Sequence, residues 1–225
     1  MTVGMQIFEK LLMLPLFQGM SNNDLNEVVA RTKFGFHRVS KGKKVVSEGD
    51  PCQNLLFLLE GSLQVTSRAD DNSYSMVEEL AAPDVIQPER IFGLTQRYSK
   101  TFVALTECRL VSVSKAEMLR LSEEHMIFQL NLLNIISTQS QRITHQPWRV
   151  HPQGIRNKII RFVETHSMRP AGEKTLYIKM ETLATLIAES RLNVSRELNA
   201  MQHEGLISIT RGIIRVPALE KLLSL

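Results

Sequence analysis

The spacing of apolar positions changes along this chain from helical to strand-like and back to helical. Leu11, Leu12 and Met13 belong to an opening helical segment that stops at Pro15. Ser21-Asn22-Asn23-Asp24 then offers N-cap chemistry for a second short helix through Leu25, Val28 and Val29. From Phe34 to about Val113 the apolar residues fall into short β-rich runs: Lys44-Val45-Val46, Leu55 to Leu59, Leu63 to Thr66, Thr101 to Ala104 and Leu110 to Val113. Gly42, Gly49 and Gly61 punctuate these runs as expected corner residues. Short strands with regular turn signals predict a jelly roll or barrel.

Beyond Ser114 the helical period returns. Lys115 to Leu121 reads as a short helix, and a longer one is predicted from about Glu124 to His145. On the longer helix Asn131, Asn134, Thr138 and Gln141 form one narrow polar stripe, while Met126, Ile127, Phe128, Leu130, Leu132, Leu133, Ile135 and Ile136 cover much of the rest of its first half. So broad an apolar surface predicts burial on two sides, one against the β-region and one against a second copy of the chain. Pro147 and Pro152 then break the helix and mark a linker. The last segment reads as a helix from Ile155 to Thr165, a strand at Leu176-Tyr177-Ile178, two short helices within 179–198, and a hairpin built from Leu206 to Ile209 and Ile213 to Val216. The expected division is 1–122, an intermediate helix over 123–146, a linker over 147–154 and a C-terminal domain over 155–225.

Charge sharpens that division. The formal net charge is +4. Residues 1–153 hold 16 Lys+Arg and 16 Asp+Glu, whereas residues 154–225 hold 11 Lys+Arg against 7 Asp+Glu. All the excess positive charge therefore lies in the last domain, where it favours a nucleic-acid partner. No stretch approaches the roughly 18 apolar residues of a membrane span, and the N-terminus lacks the basic start and cleavage site of a signal peptide, so a cytoplasmic protein is expected. Cys52 and Cys108 are the only cysteines. They are too few for a four-thiolate iron–sulfur cluster within one chain and are expected to be reduced structural thiols. His37 and His125 stand isolated and are expected to be ordinary surface or core histidines rather than haem ligands.

The two helices of 179–198 carry the most specific signal. Leu183, Leu186 and Ile187 are expected to face inward on the first, with Ala184 small enough for close approach of the second. Val194 and Leu198, continued by Met201, form the inner face of the second, and Ser190 is a suitable N-cap. That leaves Arg191, Asn193 and Arg196 pointing outward, where arginine can reach guanine through two parallel hydrogen bonds. Arg211 and Arg215 flank the hairpin turn, as a wing along the phosphate backbone requires. Lys179, Thr182, Ser190 itself, Leu192 and Ser195 complete the candidate DNA-binding set.

In these residues and their order the chain resembles the cyclic-AMP receptor protein/FNR family of bacterial transcription regulators over nearly its whole length. The likeness rests on Leu14-Pro15-Leu16-Phe17, the three corner glycines, Ala104-Leu105-Thr106-Glu107-Cys108, and Ser190-Arg191 with Val194-Ser195-Arg196. It implies an α+β fold: an N-terminal cyclic-nucleotide-binding-type β-roll (a jelly roll), a long dimerisation helix and a C-terminal winged helix-turn-helix. It also implies a homodimer on roughly palindromic double-stranded DNA, with RNA polymerase as a further candidate partner. Arg191 and Arg196 match family positions that contact guanine and DNA backbone or bases. Between them the best-studied members carry a glutamate that accepts from cytosine; here the residue is Leu192, and a different half-site is expected.

The family's cyclic-nucleotide site has a Gly-Glu pair opening a short helix, then an Arg-Ser or Arg-Thr pair that holds the cyclic phosphate. The matching stretch here runs from Gln87-Pro88-Glu89-Arg90 to Arg97-Tyr98-Ser99-Lys100-Thr101. Glu89 is retained, Pro88 removes an amide donor, and Tyr98-Ser99 stands where the arginine pair belongs. Arg97 or Lys100 could substitute by a one-residue slip, and Thr144 matches the position that reaches the purine. The effector-site candidates are Glu89, Arg90, Arg97, Ser99, Lys100, Thr101 and Thr144, and the expected effector is a small molecule other than cyclic AMP, or none. No cofactor or metal is indicated. A true cyclic-nucleotide-dependent activator and a protein-interaction module that does not bind DNA are the alternatives. A cupin-type metalloenzyme would need clustered His and Glu ligands, yet His37 is the sole histidine of the β-region. With no Ser–His–Asp set, nucleotide-binding glycine loop or paired carboxylates, catalysis is not expected.

Overall fold

The structure, a computed structural model, describes residues 3–145 and 150–224, without the side chains of residues 3–7 and 142–145. Pro147 of the expected linker therefore lies outside the described residues. By residue contacts the chain divides into two compact units, Met1–Leu63 with Leu80–Pro147, and Gln64–Glu79 with Trp148–Leu225.

In the first unit, helix α1 (Val3–Met13) ends before Pro15, which opens a single 3-10 turn burying Leu16 and Phe17. Helix α2 (Asn22–Arg31) starts as its cap pattern predicts, with the Ser21 hydroxyl accepting from the Asp24 amide at 3.1 Å. The strands that follow are β1 (Phe34–Val39), β2 (Lys44–Val46), β3 (Asn54–Glu60), β4 (Ser62–Arg68), β5 (Tyr74–Ala81), β6 (Asp84–Ile86), β7 (Thr101–Ala104) and β8 (Cys108–Ser114). One antiparallel sheet has the order β1-β8-β3-β6, and β2 pairs antiparallel with β7. Leu55, Phe57, Val111 and Val113 line the inner face of that sheet, fully buried with Phe17 and Phe128. Full burial of a side chain such as Phe57 contributes roughly 1.5–3 kcal/mol. Gly61 joins β3 to β4 with φ at 92°, and a Cβ there would sit 2.5 Å from the Glu107 carbonyl oxygen, so both conformation and space demand glycine. Cys52 and Cys108 are free and buried.

Helix α3 (Lys115–Glu124) and helix α4 (Met126–His145) close this unit. One side of α4 is core: Phe128 is 0% exposed and packs on Phe17 with ring centroids 5.3 Å apart. Asn131, in the narrow polar stripe, donates its amide to the carbonyls of Leu16 (3.2 Å) and Gln18 (2.8 Å), fixing α4 to the proline turn. The opposite side stays open. Met126 (72%), Leu130 (46%) and Leu133 (52%) are exposed at i, i+4 and i+7.

The second unit contains helix α5 (Gly154–His166), strand β9 (Lys174–Ile178), helix α6 (Met180–Leu186), helix α7 (Arg191–His203), strands β10 (Ser208–Thr210) and β11 (Ile213–Val216), and helix α8 (Leu219–Leu223). Its sheet runs β10-β11-β9-β5-β4. By residue contacts Gln64–Glu79 groups with this unit: β5 pairs antiparallel with β9 in the register Tyr74↔Ile178, Met76↔Leu176, Glu78↔Lys174. The Tyr74 ring meets Phe162 edge-on at 5.3 Å, and Met76 is 1% exposed among Leu176, Ile178 and the helices. Glu78 and Lys174, on the same core-facing side, form an ion pair of 2.7 Å with side-chain exposures of 1% and 3%. Among the described residues, no helix is long and apolar enough to cross a membrane.

Candidate nucleic-acid interface

Helices α6 and α7 are joined by a turn in which Ala188 takes φ 53°, a left-handed conformation that costs a non-glycine residue roughly 1–2 kcal/mol. The turn is held on both sides: the Glu189 amide donates to the Ala184 carbonyl at 2.9 Å, and the Glu189 carboxylate accepts from Lys158 Nζ at 2.5 Å. Helix α7 begins with the Ser190 hydroxyl accepting from the Asn193 amide at 3.1 Å. Val194, Leu198 and Met201 are each 0% exposed and seat α7 on the core. Leu183 (0%), Ala184 (4%) and Ile187 (8%) do the same for α6. Leu186 departs from the expected inward position at 47% exposure. It sits about 100° round the helix from Ile187, on the outer side of the last turn.

A second anchor holds α7 in place. Arg156 on α5 donates from Nε to Glu197 at 2.6 Å and from Nη1 and Nη2 to both oxygens of Glu204 at 2.8 and 2.6 Å. Glu204 and then Glu197 push the Arg156 guanidinium above its usual range. Arg156 in turn holds the Glu204 carboxyl below the usual carboxylate range. The contribution of Glu204 is therefore complete above its unfolded value and fades as pH falls through its lowered folded value.

With α7 fixed, its polar side is presented to solvent. Arg191, Leu192 and Arg196 are exposed, and Asn193 and Ser195 are half-buried. A cleft of about 570 Å³ lies between the start of α6, the start of α7 and the β10–β11 hairpin, and its lining includes Lys179, Glu181, Arg191 and Arg211. Arg191 Nη1 is 3.8 Å from Glu181 Oε1, but both side chains are about two-thirds exposed or more, at 69% and 73%. That pairing is too loose and too solvated to hold the arginine. Arg196 and Arg215 are exposed but do not line the cleft. Strand alternation puts Arg215 on the same sheet face as Ile213, which does line it. Thr182 is half-buried on α6.

The effector-site candidates lie in the first unit and are engaged differently from the family pattern. Gln87, 7% exposed with φ 41°, opens the 3-10 turn Pro88–Arg90. Its amide nitrogen donates to the Ser99 hydroxyl at 2.7 Å and to Glu89 at 3.4 Å, and its carbonyl accepts from the Ser99 amide at 3.1 Å. Arg97 donates to the Gly49 carbonyl at 2.7 Å, and the Thr101 hydroxyl accepts from the Glu48 amide at 3.0 Å. Arg90 Nε lies 4.0 Å from Glu89, beyond hydrogen-bond reach, and Lys100 is half-buried. Tyr98, at the position of the family's phosphate arginine, is 4% exposed and donates to the Asn54 carbonyl at 3.1 Å; burial pushes its phenol well above the usual range. The Thr144 side chain lies outside the described residues. Gln87 was missed at the sequence level, and only its place immediately before Pro88 could have flagged it.

Two family models match separate stretches of the chain, and the first of them includes Gln64–Glu79. Residues 36–125 match the family described as a cyclic nucleotide-binding domain, and residues 157–225 match the Crp-like helix-turn-helix domain. The chain is 19% identical over 180 residues to the cAMP-activated global transcriptional regulator Vfr of Pseudomonas aeruginosa, covering 76% of this chain and 84% of that one. It is 22% identical over 193 residues to a CRP-like cAMP-activated global transcriptional regulator of Mycobacterium tuberculosis, covering 81% and 84%. Its fold is similar to that of the catabolite activator protein of Thermus thermophilus, with a TM-score of 0.51, 20% identity and coverage of 93% and 96%. The sensor domain of the regulator DNR from Pseudomonas aeruginosa matches with a TM-score of 0.55, 19% identity and coverage of 69% and 100%. The chain belongs to the cyclic-AMP receptor protein/FNR family and is a DNA-binding transcription regulator of that kind.

Proposed function

We propose that the protein binds a roughly palindromic promoter site as a homodimer, with α7 of each subunit in the major groove and the β10–β11 hairpin along the adjacent phosphates. The observation that carries this reading is α7 itself. Its inner face is completely filled and its first turn is capped, yet Arg191 and Arg196 are left exposed. Lys179 and Arg211 share the cleft beside Arg191, where a phosphate strand fits by charge and shape. Dimerisation is supported by the exposed Met126, Leu130 and Leu133 stripe on α4, whose spacing suits a second helix. Contact with RNA polymerase belongs to the same reading, by family likeness alone.

Titrating labelled promoter duplex with full-length protein between 50 and 200 mM salt tests this. Phosphate contacts release counterions, so the logarithm of the binding constant is expected to fall linearly with the logarithm of salt, at about 0.9 per neutralised phosphate. Equal affinity for promoter and random duplex at every salt concentration would remove the sequence-specific reading.

The β-roll is proposed to answer to an effector other than cyclic AMP, or to none. The Gln87 carboxamide already engages Glu89 and Ser99, and Tyr98 occupies the place of the phosphate-binding arginine. The two curated relatives are named as cAMP-activated, so this is a difference within the family. Isothermal titration with cyclic AMP and cyclic GMP is expected to give no binding in the micromolar range; micromolar binding of either overturns the proposal.

A further inference from the structure

We propose that Leu192 is a specificity-determining residue that reads the C5 methyl group of a thymine in each half-site. The inference rests on the placement of α7 in the major groove and names a chemical group that α7 recognises there. Leu192 is 68% exposed at the second residue of α7. It is not a displaced core residue, because Val194, Leu198 and Met201 already fill the inner face at 0% exposure. Two residues on a helix correspond to about 200° of rotation, so Leu192 stands nearly opposite Val194. The Ser190 cap and the Glu189–Lys158 ion pair fix the preceding turn and hence the direction in which Leu192 projects.

In that direction the chemistry leaves one favourable partner. The N-terminal residues of a recognition helix are the ones that meet base edges. Of the groups the bases display in the major groove, the thymine methyl alone is apolar; the others are hydrogen-bond donors and acceptors. An isobutyl group set against those donors or acceptors removes water from them and returns no hydrogen bond. Set against a methyl group, it buries apolar surface on both sides. Arg191 and Asn193 on either side retain hydrogen-bonding capacity for neighbouring base pairs, so Leu192 contributes a contact neither can make.

The test separates this contact from DNA binding as such. Half-sites are selected from a randomised duplex library with the full-length protein, and each thymine of the best site is then replaced singly by deoxyuridine, which lacks only the methyl group. At one position per half-site the replacement is expected to weaken binding by roughly three- to tenfold, the scale of one buried methyl and its surroundings. Leu192→Ala is expected to bind the thymine duplex weaker by a similar factor and to bind thymine and deoxyuridine duplexes alike. 5-Methylcytosine at that position, paired with guanine, is expected to regain part of the affinity lost with unmethylated cytosine. The proposal fails if no thymine methyl matters, or if Leu192→Ala keeps the full thymine preference. Those two outcomes leave the DNA-binding reading intact, whereas selection of no sequence at all sinks both.

Discussion

Arg191→Ala is expected to abolish sequence-specific promoter binding while leaving the fold and the weak, sequence-independent affinity for DNA nearly intact. The Arg191 side chain is 69% exposed, and its ion-pair neighbour among the described residues, Glu181, is 3.8 Å away and similarly solvated, so removing it disturbs no packing. The helix start depends on Ser190, which the substitution leaves in place. What is lost is a planar guanidinium able to meet guanine O6 and N7 together, a contact that discriminates by roughly 1–3 kcal/mol. The proposed dimer carries two copies, so the loss is roughly 2–6 kcal/mol, or thirtyfold to more than ten-thousandfold in affinity. Arg191→Lys is expected to recover little of it, because an ammonium cannot reproduce the two-pronged geometry. The readout is the ratio of promoter to random-duplex affinity, with thermal unfolding as control. Wild-type discrimination by the alanine variant would show that α7 does not read DNA through this residue.

The C-terminal helix pair could be read from sequence because its signals are local. A Ser190 cap, a 3.6-residue apolar period through Val194, Leu198 and Met201, and polar residues between them lie within twelve positions. The β-rich region was legible at its glycine corners and apolar runs. Strand β5 was not, and the reason is chemical. Its core-facing positions are Tyr74, Met76, Glu78 and Leu80, so a carboxylate interrupts the alternation that would mark a strand. The lysine that makes that position tolerable is 96 residues further along the chain. The same long-range pairing explains why Gln64–Glu79 belongs with the C-terminal unit. The role of Gln87 was not legible for a related reason: it depends on a left-handed backbone and on Ser99, twelve residues away. Leu186 is a residue of apolar type that the helical period turns away from the face of Leu183, Ala184 and Ile187.

The buried pair that hid β5 should also be the C-terminal unit's most sensitive point. Lys174→Met is expected to destabilise it by roughly 3–5 kcal/mol, the usual cost of leaving one member of a buried ion pair without its partner. In the wild type Glu78 accepts from Lys174 Nζ at 2.7 Å and from the amides of Met168 and Arg169 at 2.7 and 3.4 Å, while Lys174 also donates to the Ala171 carbonyl at 2.9 Å. Methionine keeps most of the stem volume but removes the charge, so the carboxylate stays desolvated with only two amide donors. Neutralising it in turn should relieve most of the cost. The double variant Glu78→Gln/Lys174→Met is therefore expected to lie less than half as far below wild type as Lys174→Met alone. Because the pair sits in register at one end of the β5–β9 ladder, backbone amides of Tyr74–Glu78 and Lys174–Ile178 should exchange hydrogen faster in the single variant than in the double. Urea unfolding and hydrogen exchange together check the argument. A loss below about 1 kcal/mol for Lys174→Met, far short of the cost of an orphaned buried charge, would mean that the carboxylate finds water or another cation. Strand β5 would then be held to β9 by backbone pairing and by the packing of Tyr74 and Met76.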